Sequence, residues 1–377
     1  MKVKAALIFE QGLPKPYGKS EPVKIDQVDL TGPGETEVLV EIFAAGVCHS
    51  DLSVVNGNRM RPLPMVLGHE GAGVVVEIGS LVKGFTVGDH VAFIFMPNCG
   101  VCLQCLSGKP SNCEQGNASN AQGCLLSGHR RIKLNGSEIN HYAGVSCFSE
   151  YVTADYRSVV KLPKEISLGV AAVFSCAVIT GVGAVVNTAK VPMGASVGVV
   201  GLGGVGLSAL LGARAIGARQ IIGIDPTEYK REGAKQLGAD LTFDSADPNI
   251  VEKIKDATNG GLEYVFEAAG EVEALELAYE VTGRGGTTTS SGLSHPAKNF
   301  SVNHVKLVAE ERIIKGSYLG SCVPKRDIPN YIQLFQDGKL PVDQLIKGEI
   351  ALEEINDAFD KLDRGETIRQ IITFSKF

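Results

Sequence analysis

The sequence has no run rich in lysine and arginine, and acidic residues outnumber basic ones, 42 to 36, for a formal net charge of −6. Such a balance lacks the electrostatic footprint that nucleic acid or an anionic membrane requires, so neither is an expected partner. The first 30 residues contain Lys2, Lys4, Glu10 and several prolines, with no apolar stretch long enough for a signal peptide or a spanning helix. A cytoplasmic protein is expected. Internal repeats and low-complexity segments are also missing, which excludes a repeat array or a long disordered linker. What remains is a chain of 377 residues, enough for about two domains that each bury a core. Cysteine is plentiful, at nine, and in a reducing compartment its spacing reads as metal ligation rather than as disulfides.

The stretch Ser196 to Asp225 organises the second half of the chain. A Val-rich run, 196–200, passes into Gly201-Leu202-Gly203-Gly204-Val205-Gly206. A helix-compatible segment from Leu207 to Ile216 follows, then a second apolar run, 220–224, closed by Asp225. This is strand, turn, helix, strand, with Gly201, Gly203 and Gly206 at the G-x-G-x-x-G spacing of a dinucleotide turn. The helix start offers unpaired N–H groups and a positive dipole end to a pyrophosphate. Asp225, about 20 residues past the glycines, would accept from both ribose hydroxyls and repel a 2′-phosphate, so the cofactor is read as NAD rather than NADP. A glycine-rich turn in some other α/β protein is the plainer reading.

Cys99, Cys102, Cys105 and Cys113 follow the pattern C-x2-C-x2-C-x7-C. Four thiolates so close together can wrap one ion and leave no open position, which points to a structural zinc. An iron–sulfur cluster is the rival, but its motif continues with x3-C-P, whereas here the fourth cysteine is followed by Glu114. The surrounding segment is not basic, which disfavours a nucleic-acid zinc finger. Upstream, Val3–Phe9, Glu37–Ile42 and Val74–Ile78 read as strands with frequent Gly and Pro between them, suggesting a barrel-like domain separate from the nucleotide fold. Beyond residue 176 an alternating α/β pattern includes Glu228–Leu237, Leu262–Ala268, Gly286–Ser291 and Ile313–Ser317. Ile355, Ala358, Phe359 and Leu362 lie at helical spacing, as core residues do.

Cys48, His69 and Cys176 are scattered, and spacing alone does not join them. Gly46-Val47-Cys48-His49-Ser50-Asp51, Gly68-His69-Glu70-Gly71-Ala72-Gly73, the four-cysteine segment, Cys176 with Thr180-Gly181, and Gly201 to Gly206 nonetheless occur in one order. In that order and spacing the chain resembles the zinc-dependent alcohol dehydrogenases of the medium-chain family, nearest to the liver-type dimeric branch. The resemblance runs through Ile368-Arg369. It implies an α/β protein: a GroES-like, β-rich catalytic domain over 1–177 and 321–377, and a doubly wound parallel-sheet (Rossmann) domain over 178–320.

The resemblance also implies roles. Cys48, His69 and Cys176 would hold a catalytic zinc with its fourth position left for a substrate oxygen, and the metal would acidify a bound alcohol. Asp51 would fix the His69 tautomer. Glu70 would exchange with a ligand during turnover, or be simply a satisfied buried acid. Ser50 would receive the alcohol proton. Relatives often place a histidine three residues later as the outer end of that relay; this chain has Ser53, so the last carrier is open, with water and His49 as candidates. His49 and Arg369 would meet the pyrophosphate, Lys230 the adenine ribose, and Thr180, Gly204, Val205 and Leu319 other parts of NAD. Phe95, Tyr142 and Leu319 would line an apolar slot with Arg59 near its mouth. The expected reaction is reversible hydride transfer from a zinc-bound alcohol to NAD, giving aldehyde or ketone, with two zinc ions per chain. The alternatives are oxidation of the glutathione–formaldehyde adduct and, from another class, a catalytically silent zinc-binding scaffold. The long segment Asn117–Tyr142, much of which shorter tetrameric relatives lack, favours a homodimer over a tetramer by the same resemblance.

Overall fold

The polar–apolar alternation at Glu37–Ile42 continues further than that pattern predicts. In the computed structural model, which describes residues 1–374, the strand runs Glu37–Val47 and is buried along nearly its whole length. It pairs antiparallel with Glu70–Ile78, Tyr151–Asp155 and Arg369–Thr373. Its side chains enter cores on both faces, Val38, Val40 and Ile42 in one and Leu39 in another, so no face is left for water and the second half loses the alternation. The sheet continues through His90–Phe93 and Val159–Lys161 on one side and Ile346–Ile350 on the other. Its core includes Val40, Ile42, Phe93, Phe148 and Ile372, with Ile355, Ala358, Phe359 and Leu362 of the helix Ile355–Asp363 packed in. Each fully buried aliphatic or aromatic side chain of this kind contributes about 1.5–3 kcal/mol.

Beside it, Lys2–Ile8, Val23–Leu30, Ile132–Leu134, Ser137–His141 and Met65–Val66 close into a small barrel. Val3, Leu7, Val28, Leu30, Ile132 and Ile139 fill its interior. The segment Asn117–Tyr142 is therefore more than a loop. It supplies the end of the helix Glu114–Gln122 and a hairpin that completes the barrel. Glu37 fastens it: this fully buried carboxylate accepts from Arg131 Nε at 2.7 Å, Ser127 Oγ at 2.6 Å and Gly34 N at 2.8 Å.

These elements belong to a first unit of Met1–Cys176, Val323–Ile332 and Ile346–Phe377; the second is Ala177–Cys322 with Gln333–Leu345. The expected division at 178 and 320 differs in placing Gln333–Leu345 with the first domain. The second unit is built on six parallel strands in the order Leu241–Phe243, Gln220–Ile224, Ser196–Val200, Leu262–Glu267, Thr282–Ser290 and Ile313–Gly316. Two wings start from the central strand Ser196–Val200, the doubly wound order whose reversal opens a crevice at the carboxyl ends of the strands. Val200, Ile222, Ile224, Ile254 and Val265 form its core. One helical stretch, Leu168–Ala189, is apolar and long enough to cross a membrane, but 83% of its most apolar window is buried, as in a core helix.

Candidate metal centres and dinucleotide turn

Sheet register assembles the first centre. Gly46 pairs with Glu70, and Val47 with Gln370, so the ends of three strands meet where Cys48, His69 and Arg369 emerge. Cys176 arrives on a π-helical turn, Phe174–Val178, in which the widened helix carries an extra residue. Ligand atoms of Cys48, His69, Glu70 and Cys176 all lie within 4.8 Å of one another, and all four residues are buried.

Asp51 ties two of these ligands together. One carboxylate oxygen accepts from Cys48 N at 3.3 Å, closing the start of the helix His49–Val55. The other accepts from Gly68 N at 3.2 Å and lies 3.1 Å from His69 Nδ1. A carboxylate at that distance keeps the ring proton on Nδ1 and leaves a lone pair on Nε2. His69 Nε2 is buried and has no hydrogen-bond partner among the described residues, the Glu70 carboxylate lying 3.9 Å away. An orphaned imidazole nitrogen turned toward two thiols is the donor set zinc prefers, so the residues fit the metal.

Glu70 sits behind this group, its Oε1 accepting from Arg369 Nη1 at 2.9 Å. Burial pushes the Glu70 carboxyl up to about 8 against the opposing pull of Arg369. Arg369, expected at the pyrophosphate, is itself buried and also donates to Val47 O at 3.0 Å. The thiol pair divides its protons: the hydrogen bond from Cys176 holds Cys48 well below the ordinary thiol range and raises Cys176 well above it. Phe95 and Tyr142 stand edge-on to the His69 ring at 5.5 and 5.6 Å, and the Tyr142 hydroxyl donates to Ser50 O at 3.0 Å. Ser53 turns its hydroxyl back to His49 O at 2.8 Å. His49 is exposed at the first position of its helix.

The second centre is local. Cys99 Sγ lies 4.0 Å from Cys105 Sγ, and Cys102 Sγ 3.9 Å from Cys113 Sγ. A tetrahedron with zinc–sulfur bonds of about 2.3 Å has edges of about 3.8 Å, so the four sulfurs fit one ion. Backbone N–H groups of Cys99 and Gly116 point at Cys113 Sγ, and those of Val101 and Cys102 at Cys99 Sγ. Such donors spread the charge that four thiolates accumulate. Two backbone N–H bonds bring Cys102 down to about 6, while burial carries Cys105 up to about 12.

In the second unit, Gly201 has φ +91°, and a Cβ there would come within 2.6 Å of Ala269 N. A Cβ on Gly203 would meet nothing within 4 Å, so open space lies over the start of the helix Gly204–Ala215. That is the cradle a pyrophosphate needs, beside N–H groups of Gly204, Val205 and Gly206. Asp225 is 4% exposed, and its two carboxylate oxygens accept from Leu202 N and Thr227 N, both at 2.9 Å. Lys230 stands half-buried on the following helix. Thr180 Oγ1 is buried without a partner among the described residues, and Leu319 is buried with φ +50°.

Two residues here escaped the sequence reading. Glu267 accepts from Gly270 N and Ser290 Oγ, both at 2.6 Å, fastening the loops that leave two neighbouring strands. Arg231 donates to the carbonyls of Asp225 and Pro226. An acid closing an apolar run, as Asp225 does, was the available signal for Glu267.

An alcohol dehydrogenase GroES-like domain model matches residues 34–164, and a zinc-binding dehydrogenase model matches residues 204–337. The chain is 36% identical over 376 residues to a putative alcohol dehydrogenase D of Mycobacterium tuberculosis, covering 99% of this chain and 100% of the relative. It is 36% identical over 384 residues to an S-(hydroxymethyl)glutathione dehydrogenase of Paracoccus denitrificans, with 99% and 100% covered. Among solved structures, benzyl alcohol dehydrogenase from Acinetobacter calcoaceticus superimposes with a TM-score of 0.92 at 33% identity, over 100% of both chains. Full-length likeness, two matched domains and the two assembled ligand sets agree: the chain belongs to the zinc-dependent alcohol dehydrogenase family.

Proposed function

We propose that the protein interconverts alcohols and aldehydes or ketones with NAD as hydride acceptor. The observation that carries this reading is the orphaned Nε2 of His69, held by Asp51 and turned toward the thiols of Cys48 and Cys176. Cys48, His69 and Cys176 would hold a zinc that would supply Lewis acidity toward an alcohol oxygen, and bound NAD would supply the hydride-accepting ring. The chain's own residues do the rest. Asp51 keeps the Nδ1 proton in place, so the ring stays correctly turned with Nε2 toward the thiols. Ser50, beside Cys48, offers the hydroxyl that takes the substrate proton; His49 or water carries it onward, since the Ser53 hydroxyl is committed to a carbonyl. Phe95 and Tyr142 wall the His69 ring and exclude water, with Leu319 assigned to the same slot. Gly201–Gly206, Thr180 and Lys230 are assigned to NAD, His49 and Arg369 to its pyrophosphate, and Asp225 opposes a 2′-phosphate.

Cys99, Cys102, Cys105 and Cys113 are assigned to a structural zinc. Nine cysteines, none in a disulfide among the described residues, suit the cytoplasm. A homodimer is the proposed assembly, tested by light scattering at micromolar concentration, where a stable mass of four chains would refute it. A panel of alcohols assayed with NAD and NADP tests the central reading. Reduction of NAD, faster than NADP, by a protein carrying two zinc ions per chain is expected. Zinc and NAD bound without turnover of any alcohol would instead favour the silent scaffold. The full-length likeness to S-(hydroxymethyl)glutathione dehydrogenase keeps that adduct as a second reading, separated by assaying formaldehyde with and without glutathione.

A further inference from the structure

The two aromatic rings beside His69 come from segments far apart in the chain. Phe95 lies just past the strand His90–Phe93, on the way to Cys99, and Tyr142 directly follows the strand Ser137–His141. Each ring stands edge-on to the His69 imidazole, with interplanar angles of 88° and 89°. One side chain lies between the two segments. Asn120 Nδ2 donates to Phe95 O at 2.9 Å and to Met96 Sδ at 3.8 Å, which commits both amide protons to that side. Asn120 Oδ1 is turned the other way. It is buried without a hydrogen-bond partner among the described residues and lies against Gly144, where a Cβ would stand 3.4 Å from it. Gly144, at φ +67°, belongs to the turn that Tyr142 opens, closed by bonds from Tyr142 N to Ser146 Oγ at 2.9 Å and from Val145 N to Tyr142 O at 3.0 Å.

Asn120 is itself held in place. Its helix, Glu114–Gln122, begins at Cys113, whose Sγ accepts from Gly116 N at 3.3 Å. A Cβ on Gly116 would collide with Pro97 O, so the helix backbone rests directly on the segment that carries Phe95. At its other end Gly123, at φ +66°, gives its carbonyl to His141 N at 2.8 Å, one residue before Tyr142. The helix is thus tied to both segments. An apolar side chain would fill the gap at position 120 without leaving a shielded oxygen unpaired, so packing alone does not account for the amide.

We propose that Asn120 is a positioning residue for substrate selection: by holding the backbone of Phe95 against the turn of Tyr142, it sets the width of the slot that the two rings line. The inference rests on the dehydrogenase reading and adds to it a residue that acts through Phe95, away from the reacting atoms. In an apolar slot one methylene is worth about 10- to 200-fold in kcat/KM, so a shift of Phe95 by a fraction of an ångström is readable as selectivity.

The test compares benzyl alcohol with cyclohexylmethanol, which share a carbon count and differ in ring thickness, using the full chain with zinc and NAD. Asn120→Leu keeps nearly the same volume and removes the donor. It should raise kcat/KM for cyclohexylmethanol relative to benzyl alcohol by about fivefold, the weight of one hydrogen bond, mostly through KM. Taking the change in the ratio cancels the intrinsic reactivity of the two alcohols. For propan-1-ol, too slender to meet both walls, kcat/KM should move by less than the ratio does. Asn120→Gln, which retains an amide donor, should recover part of the effect. In a Phe95→Leu background, Asn120→Leu should leave the ratio where it is, because the wall it positions is gone. A ratio unmoved by Asn120→Leu, or moved toward benzyl alcohol, would overturn the inference and leave the dehydrogenase reading standing. An undiminished effect in the Phe95→Leu background would do the same. So would an Asn120→Leu protein that fails to fold, loses zinc or slows on all three alcohols in proportion, since that marks a purely structural residue. If the unaltered protein oxidised no alcohol with NAD, the dehydrogenase reading would fall, and this one with it.

Discussion

The two cysteine-containing centres are made in opposite ways. The four-cysteine group lies within residues 99–113, on short helices and turns near the surface, and much of its organisation is backbone N–H aimed at sulfur. The group of Cys48, His69 and Cys176 draws on two strand ends and a π-helical turn, is buried, and is braced by carboxylates. A local site can form from its own loop and lend its binding energy to that loop. A distributed site exists only after the sheet has formed, and so can leave a coordination position open for chemistry. One should therefore stabilise and the other react.

Cys48→Ala puts the sharpest strain on that contrast. Turnover should fall by about a thousandfold or more, since the Lewis acid is lost, while the protein remains folded, binds NAD and keeps one zinc per chain. Metal analysis beside steady-state kinetics reads both, and an unfolded variant would show that this centre also builds the fold. Cys113→Ala should do the reverse, lowering the melting temperature by about 10 °C while the folded fraction keeps most of its turnover. Unchanged melting with two zinc ions retained would dissolve the contrast. Asp51→Asn asks whether the brace matters to the reactive centre. It should cost about 10- to 100-fold in metal affinity or kcat, with little change in melting temperature.

The smallest effect near neutral pH separates both centres from the acid sensitivity of the unit they share. His141 is fully buried, its Nε2 accepts from Arg131 N at 3.0 Å, and burial lowers it from 6.5 to about 3. Because its folded value is depressed, the unfolded chain binds the extra proton. The stability this contributes is complete above pH 6.5 and is lost as pH falls toward 3, at about 1.4 kcal/mol per pH unit. Urea unfolding at pH 7.5 and 5.5 should show a decline that His141→Gln reduces. An equal decline in that variant would assign the sensitivity to the metal ligands instead.

What the sequence disclosed follows the same division. The dinucleotide turn and the four-cysteine group were legible from spacing, because each is made by neighbours in the chain. Cys48, His69 and Cys176 were not, since only the pairing of Gly46 with Glu70 and the π turn at Cys176 bring them together. Resemblance named them; register explains them. The pairing of Arg369 with Glu70 had no local signal at all. The segment Asn117–Tyr142 reads in sequence as one long insertion because its strands are too short, at three and five residues, to show periodicity.

One further consequence follows from the pairing of Glu37–Val47 with Arg369–Thr373. A chain made from its N-terminus releases Cys48, His69 and Cys176 while its last third is still unmade. The strand that borders Val47, and the Arg369 that pairs with Glu70, emerge long after all three of these residues. Until then Gly46 and Val47 present an open sheet edge beside an uncompensated carboxylate, the arrangement most exposed to wrong partners. The nascent first unit is thus a polypeptide with all of its candidate metal ligands and an unfinished sheet until Arg369–Thr373 arrives.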